Sequence, residues 1–215
     1  MIALLRYAYL KGLRDSSLFA FILIPMMFPV AALLGVTLGK GRLVYPLYMS
    51  PQFSPQQNAT LAGQITTGIC VLFTVIIAFW TFRSEIATRS VGSFLLAARP
   101  LTLSLALILF AAAIGLAGWI GGMAMIGVLT TAMPPHLALL VLKVAAGTIA
   151  ASALGTLVVT ISPNPGMVLG AYLACIISIV WVEKSTSLSQ LIGAVAVAIV
   201  CAGLASFFLE RRCAT

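Results

Sequence analysis

The stretch from Pro100 to Leu142 reads "PLTLSLALILFAAAIGLAGWIGGMAMIGVLTTAMPPHLALLVL" and contains no Asp, Glu, Lys or Arg. A helix that crosses a bilayer needs about 20 largely apolar residues, so this stretch is far too long for one crossing. The segment "MPPH", residues 133–136, interrupts it with two prolines, which disfavour continuation of a helix. The stretch therefore predicts two transmembrane helices, at 101–122 and 137–161.

The composition of the whole chain agrees with a membrane environment. Hydrophobic residues make up 62% of the 215 residues and charged residues only 7%, whereas soluble domains carry about 25% charged residues. No polar stretch is long enough to form a second, water-soluble core. We therefore expect a single transmembrane domain over residues 1–215.

The other apolar runs can be divided in the same way, at prolines, glycines and clusters of charge. The "SPNPG" segment at 162–166 separates two of them, because its prolines lack an amide donor and favour a tight turn. The sequence thus predicts an all-α fold with six transmembrane helices, at 17–38, 62–82, 101–122, 137–161, 166–182 and 188–209. The segment at 39–61 is the sizeable external loop in this scheme.

The first 15 residues, "MIALLRYAYLKGLRD", place apolar side chains on one helical face and basic ones on the other. This pattern predicts an amphipathic helix in the membrane interface before the first span. A disordered basic segment that only orients the first span is the alternative.

The distribution of basic residues favours a cytoplasmic location for both termini, because cytoplasmic loops are enriched in Lys and Arg. In that orientation the inside holds Arg6, Lys11, Arg14, Arg83, Arg89, Arg99, Arg211 and Arg212, and the outside holds Lys40, Arg42 and Lys184.

The chain concentrates charge between the second and third predicted spans, in "FRSEIATRSVGSFLLAARP", residues 82–100. An Arg/Glu pair, a glycine, a leucine pair and a proline follow one another here. The stretch resembles the second cytoplasmic loop of the permease subunits of ABC type 2 transporters. The matching positions are Arg83, Glu85, Gly92, Leu95, Leu96 and Pro100.

The resemblance implies a half-transporter that exports a substrate across the plasma membrane, in bacteria the inner membrane. Two such subunits, identical or related, would associate with separate cytosolic ABC ATPases that bind ATP and Mg²⁺, so this chain would need no cofactor of its own. The family's second cytoplasmic loop contacts the ATPase through a short coupling helix. The residues expected to make that contact are Arg83, Glu85, Arg89, Gly92 and Arg99.

Catalytic and ion-coupled functions find little support in the sequence. The four acids, Asp15, Glu85, Glu183 and Glu210, lie outside the predicted spans, whereas coupled transporters generally use ionisable groups in mid-membrane. The single histidine stands beside two prolines, and we interpret it as a loop residue. We therefore expect no enzymatic activity in this chain. We also expect no nucleic-acid partner, because the sequence shows no stripe of Lys and Arg with interleaved aromatic residues on a soluble face.

Lys143 and the small-residue ladders each have two interpretations. Lys143 lies about six residues into the fourth span, where it can extend to the headgroups or contact a substrate. The ladders of small residues allow close helix packing, either within the chain or against a second copy. They are Gly118 and Gly122 in the third span, Gly147, Ala151 and Gly155 in the fourth, and Gly166, Gly170 and Ala174 in the fifth.

Three other functions stay open at this point. One is a haem-exporter-like subunit of cytochrome maturation, which has the same architecture. Another is the substrate-capturing subunit of a vitamin uptake transporter, with a pocket that includes Tyr45, Tyr48 and Trp119. The third is a scaffold or immunity protein whose loops bind another membrane protein.

Overall fold

The structure is a computed structural model that describes residues 54–87, 99–162, 164, 166 and 187–214. It also describes nine helical positions near the start of the chain: 6, 9, 10, 20, 22, 23, 24, 26 and 27. The described residues form four long helices and no strand. These are α1 (Pro55–Ala87), α2 (Pro100–Thr130), α3 (Leu137–Ile161) and α4 (Ser187–Ala214).

All four helices are long and apolar enough to cross a membrane, over Ala62–Thr81, Pro100–Leu129, Leu137–Ile161 and Leu188–Arg211. The all-α class and the multi-pass character predicted from the sequence are therefore confirmed. The second, third, fourth and sixth predicted spans correspond to α1 to α4. The first span, 17–38, is described only at residues 20, 22–24, 26 and 27, and the fifth, 166–182, lies outside the described residues apart from Gly166.

The start of α1 lies inside the segment that the sequence assigns to an external loop. Ser54 and Gln57 exchange two hydrogen bonds: the Gln57 amide donates to Ser54 Oγ at 3.3 Å, and the Ser54 amide donates to Gln57 Oε1 at 2.9 Å. Pro55 takes the first helical position, where no amide donor is needed. This reciprocal cap begins the helix ahead of the apolar span that starts at residue 62.

The predicted break between the third and fourth spans is confirmed, but α2 continues to Thr130 instead of ending near residue 122. Thr131 and His136 adopt left-handed backbone conformations, with φ of 54° and 61°. Between them Pro134 is buried and lies against Gly63 of α1, where a β-carbon would be 3.1 Å from Pro134 Cγ. α3 then runs from Leu137 to Ile161, as predicted.

The buried clusters establish the relative directions of the helices. One cluster unites the first half of α1 with the end of α2 and the first half of α3; its members include Ala59, Ala62, Met123, Ile126 and Val144. A second unites the ends of α1, α3 and α4 with the start of α2; its members are Phe79, Ile86, Leu103, Leu107, Val159 and Leu209. Hence α2 is antiparallel to α1 and α3, whereas α4 runs parallel to α3.

We call the end of the bundle at the second cluster the charged end, because Arg83, Arg99 and Arg211 lie there. The parallel course of α3 and α4 has a topological consequence. α3 finishes at the charged end, whereas α4 starts at the opposite end. This arrangement is the one expected if the predicted fifth span, 166–182, crosses the membrane between α3 and α4.

Two of the described positions near the start of the chain pack against α1 and α2. Ile22 contacts a cluster formed by Ile77, Ala111 and Ile114 of α1 and α2. Met26 lies against Gly121, farther from the charged end. This segment therefore advances from the charged end towards the opposite end, the direction that the sequence predicts for the first span.

The ladder of Gly147, Ala151 and Gly155 packs within the chain. A methyl group at Gly147 would lie 2.6 Å from Val71 Cγ2, and one at Gly155 would lie 2.7 Å from the Val75 carbonyl oxygen. The absence of side chains here lets α1 and α3 approach closely, as is common where lipid supplies no hydrophobic drive for association. The intrachain interpretation of this ladder is confirmed.

Candidate functional site

Two of the five predicted coupling residues, Arg83 and Arg99, have described side chains, and both lie at the charged end. Arg83 is half-buried near the end of α1, one helical turn from Phe79 and from Ile86. Its guanidinium carbon lies 5.3 Å from the centroid of the Trp80 ring, within the range of a cation–π contact. The charge thus stands at the margin of the cluster that joins all four helices.

Arg99 immediately precedes α2 and is exposed. Its backbone is extended, with φ of −63° and ψ of 142°, as expected for a residue followed by proline. Its carbonyl oxygen accepts the amide of Leu103 at 3.1 Å. The start of α2 is therefore anchored beside the end of α1, since Leu103 belongs to the same cluster as Ile86.

The other predicted coupling residues are described less fully. Glu85 lies in the helical part of α1, but its side chain is outside the described set, and Arg89 and Gly92 also fall outside it. The structure thus brings together the two borders of the 83–100 segment. Contacts among its central residues stay predictions.

The sequence interpretation missed both arginine–aromatic pairs at this end, and the second one lies on α4. The Arg211 guanidinium carbon lies 4.7 Å from the Phe207 ring centroid, and the adjacent Glu210 is exposed. The signal in the sequence is an aromatic residue one helical turn before an arginine, which places both on the same face. The same signal occurs at Trp80 and Arg83.

The turn after α3 completes the described part of the charged end. The amide of Asn164 donates to Ser162 Oγ at 3.3 Å, and the amide of Gly166 donates to Asn164 Oδ1 at 3.0 Å. These short-range bonds replace helical partners beyond Ile161. The turn predicted from "SPNPG" is therefore present at the positions that the structure describes.

The interior of the bundle is lined by hydroxyls whose bonds serve their own helices. Thr74 donates to the Cys70 carbonyl at 2.7 Å, and three residues of α3 do the same three positions back: Thr148, Ser152 and Thr160. Among the described residues, the buried hydroxyls of Ser104 and Thr156 have no hydrogen-bond partner. None of the charged side chains that the structure describes is buried, and its described part holds no cluster suited to a metal ion.

Trp119 and His136, two residues singled out in the sequence, lie near the opposite end. Trp119 is buried, and its Nε1–H donates to Thr67 Oγ1 at 2.9 Å. It therefore joins α2 to α1 inside the bundle, and the structure places it in a packed position. His136 is exposed at the start of α3, in agreement with its interpretation as a loop residue. Lys143 is half-buried in α3.

No protein-family model matches this chain, and no curated protein or solved structure matches it either. The class of protein therefore follows from the chain itself. Its composition and four long apolar helices define a multi-pass α-helical membrane protein. Three arginines with described side chains, Arg83, Arg99 and Arg211, lie at one end of its bundle.

Proposed function

We propose that the chain is the permease subunit of an ATP-driven ABC type 2 exporter. The observation that carries the proposal is the location of Arg83 and Arg99 at the same end of the bundle. These residues are the borders of the segment in which the sequence resembles the coupling loop of that family. A contact made by this segment would act on α1 and α2 together.

The proposal includes an orientation and a complete topology. Six spans, with the charged end and both termini in the cytoplasm, follow the excess of Lys and Arg on that side. The membrane is then the plasma membrane, the inner membrane in a bacterium. A second permease subunit would supply the other half of the translocation path.

Coupling in this scheme depends on the rigid packing next to the loop. Ile86 of α1, Leu103 of α2, Val159 of α3 and Leu209 of α4 belong to one buried cluster. Because closely packed interiors transmit displacement instead of absorbing it, a movement of the segment between Arg83 and Arg99 would be felt by all four helices. ATP-driven closure of the partner ATPases would thereby shift the two permease subunits between inward-facing and outward-facing states.

The energy source must lie in a partner in this proposal. The four acids of the sequence fall outside the predicted spans, and the described hydroxyls of the core donate mainly to carbonyls of their own helices. Proton-coupled carriers instead place ionisable groups in mid-membrane. ATP and Mg²⁺ would be bound by the ATPase.

The test is co-purification with an ABC ATPase encoded beside this chain, together with substrate-stimulated ATP hydrolysis. We expect Arg83→Gln, Glu85→Lys and Arg89→Glu to weaken association at least about tenfold, since a charged hydrogen bond contributes about 1.5–3 kcal/mol. Membrane insertion should be unchanged, because these positions border the apolar spans.

Arg211→Gln is the matched control, because it removes an arginine at the same end of the bundle but outside the 83–100 segment. It should retain association with the ATPase. Full coupling in the three variants, or equal loss in the control, would show that the segment is not the ATPase contact.

A further inference from the structure

The helices α1 and α4 finish at the charged end with the same arrangement of side chains. In each, an exposed aromatic ring is followed one turn later by an arginine whose guanidinium lies over that ring. Trp80 is 51% exposed and Phe207 47% exposed, and the corresponding distances from guanidinium carbon to ring centroid are 5.3 Å and 4.7 Å. The two pairs lie at the same end of the bundle because both helices end there.

An apolar stripe leads to each pair along the helix surface. On α4, Val200, Leu204, Phe207 and Arg211 follow at intervals of four, three and four residues, which keeps them on one face. Val200 is 60% exposed and Leu204 45% exposed. On α1, the partly exposed Phe73 and Ile76 precede Trp80 and Arg83 with the same kind of spacing. Each stripe therefore offers apolar surface in the membrane and a cation at its edge.

We propose that these two arginine–aromatic pairs bind anionic phospholipids, with the headgroup phosphate on the guanidinium and an acyl chain along the stripe. The planar guanidinium forms paired hydrogen bonds with phosphate oxygens. The ring beneath it restricts its orientation, and aromatic rings favour the headgroup level of the bilayer. Juxtamembrane cations also attract anionic lipids electrostatically.

The charges around the pairs agree with an anionic occupant. Three basic residues with described side chains, Arg83, Arg99 and Arg211, lie at this end, whereas Glu210 is the acidic residue whose side chain is described there. Glu85 and Arg212 belong to the same end by their positions in α1 and α4. Lys143, near the opposite end, has Leu139, Leu140, Ala146 and Gly147 one turn away and thus no aromatic partner on its own helix. It is half-buried, carries the same charge and serves as the matched control.

The experiment titrates the full-length chain in detergent with phosphatidylglycerol or with phosphatidylcholine of identical acyl chains, and counts bound lipids by native mass spectrometry. We expect preferential binding of phosphatidylglycerol. Arg83→Gln and Arg211→Gln should each reduce its affinity about fivefold, in line with the contribution of one basic residue at a membrane surface. Phe207→Leu, which keeps the apolar stripe, should reduce it about twofold to fivefold.

Lys143→Gln should leave the affinity for phosphatidylglycerol unchanged, although it removes the same charge. If Lys143→Gln lost as much affinity for phosphatidylglycerol as the arginine variants, the binding would depend on overall charge and not on the two pairs, and the proposal would be wrong. Equal binding of the two lipids by the unmodified chain would also overturn the proposal. Circular dichroism of each variant shows whether the helices are retained. Because Arg211 lies outside the 83–100 segment, its result is independent of the proposed ATPase contact.

Discussion

At Gly155 the backbone of α3 approaches that of α1 more closely than any side chain would allow. A β-carbon there would lie 2.7 Å from the Val75 carbonyl oxygen and 2.9 Å from Ala78 Cβ. The backbone atom is the less yielding of these two neighbours, because it belongs to the hydrogen-bonded helix. Gly155 is therefore required by the helix–helix distance and not by its own backbone conformation.

We predict that Gly155→Ala destabilises the bundle by about 1–3 kcal/mol, the usual cost of overpacking a core. The free energy of unfolding can be measured by titration with a denaturing detergent, followed by circular dichroism. Gly203→Ala is the control, since Gly203 is an exposed residue of α4 with no atom within 4 Å of the added methyl. It should be neutral or stabilising by up to about 1 kcal/mol through helix propensity. Equal stability of the two variants would show that α1 and α3 do not pack through Gly155.

The candidate site was partly predictable at the scale of residues. Arg83 and Arg99 stand out in the sequence because charges are rare in this chain, and the structure places both at one end. Their distance in space depends on the antiparallel packing of α1 and α2, which no local pattern specifies. The cation–π contact of Arg211 could have been found from its spacing to Phe207, but the charge was interpreted only as a topology signal.

At the scale of elements, membrane-crossing lengths could be predicted more reliably than helix ends. The apolar spans locate all four helices, and α3 has the predicted bounds. The third span was ended too early, near Gly121 and Gly122. Glycine does not end a helix there, because Gly121 lies against Met26 and allows close approach of a neighbouring segment. The early start of α1 depends on the side-chain cap between Ser54 and Gln57, which hydropathy does not register.

The junction between α2 and α3 yields a prediction at His136. This residue is exposed and precedes α3 with a φ of 61°, a conformation that costs an L-residue about 1–2 kcal/mol and that asparagine tolerates well. The free energy of unfolding of His136→Asn should therefore lie within about 0.5 kcal/mol of that of the unmodified chain. His136→Val should be less stable than the unmodified chain by about 1–2 kcal/mol, because branching at Cβ worsens the strain. Thermal unfolding in detergent compares the two, and a valine variant as stable as the asparagine variant would contradict the left-handed turn.

For the whole molecule, the decisive feature is the parallel course of α3 and α4. Antiparallel neighbours are expected when a short loop joins two helices, and α1, α2 and α3 follow this rule. α4 does not: Val159 and Leu209 share the cluster at the charged end, while Ala153 and Cys201 share one nearer the middle of the bundle. Sequence hydropathy predicts this arrangement only through the count of spans, so an error of one span would reverse α4.

Cysteine labelling tests both the arrangement and the proposed orientation. In a background without Cys175 and Cys213, and with the buried Cys70 and Cys201 retained, single cysteines replace the exposed residues Ser54, Asn164 and Glu210. We expect a membrane-impermeant maleimide to label the Ser54→Cys variant in intact cells, because the proposed orientation places that position outside. Asn164→Cys and Glu210→Cys should react only after permeabilisation.

The three positions separate two kinds of error. If Asn164→Cys and Glu210→Cys react from the outside and Ser54→Cys from the inside, the bundle is correct but its orientation is reversed, and the 83–100 segment cannot meet a cytosolic ATPase. If Asn164→Cys and Glu210→Cys react from different sides, α3 and α4 are not parallel, and the charged end does not exist as one surface. If Asn164→Cys and Glu210→Cys are both protected from the external reagent and react after permeabilisation, the charged end faces the cytoplasm. Cytosolic ATPases and anionic lipids of the inner leaflet can then both reach that end of the bundle.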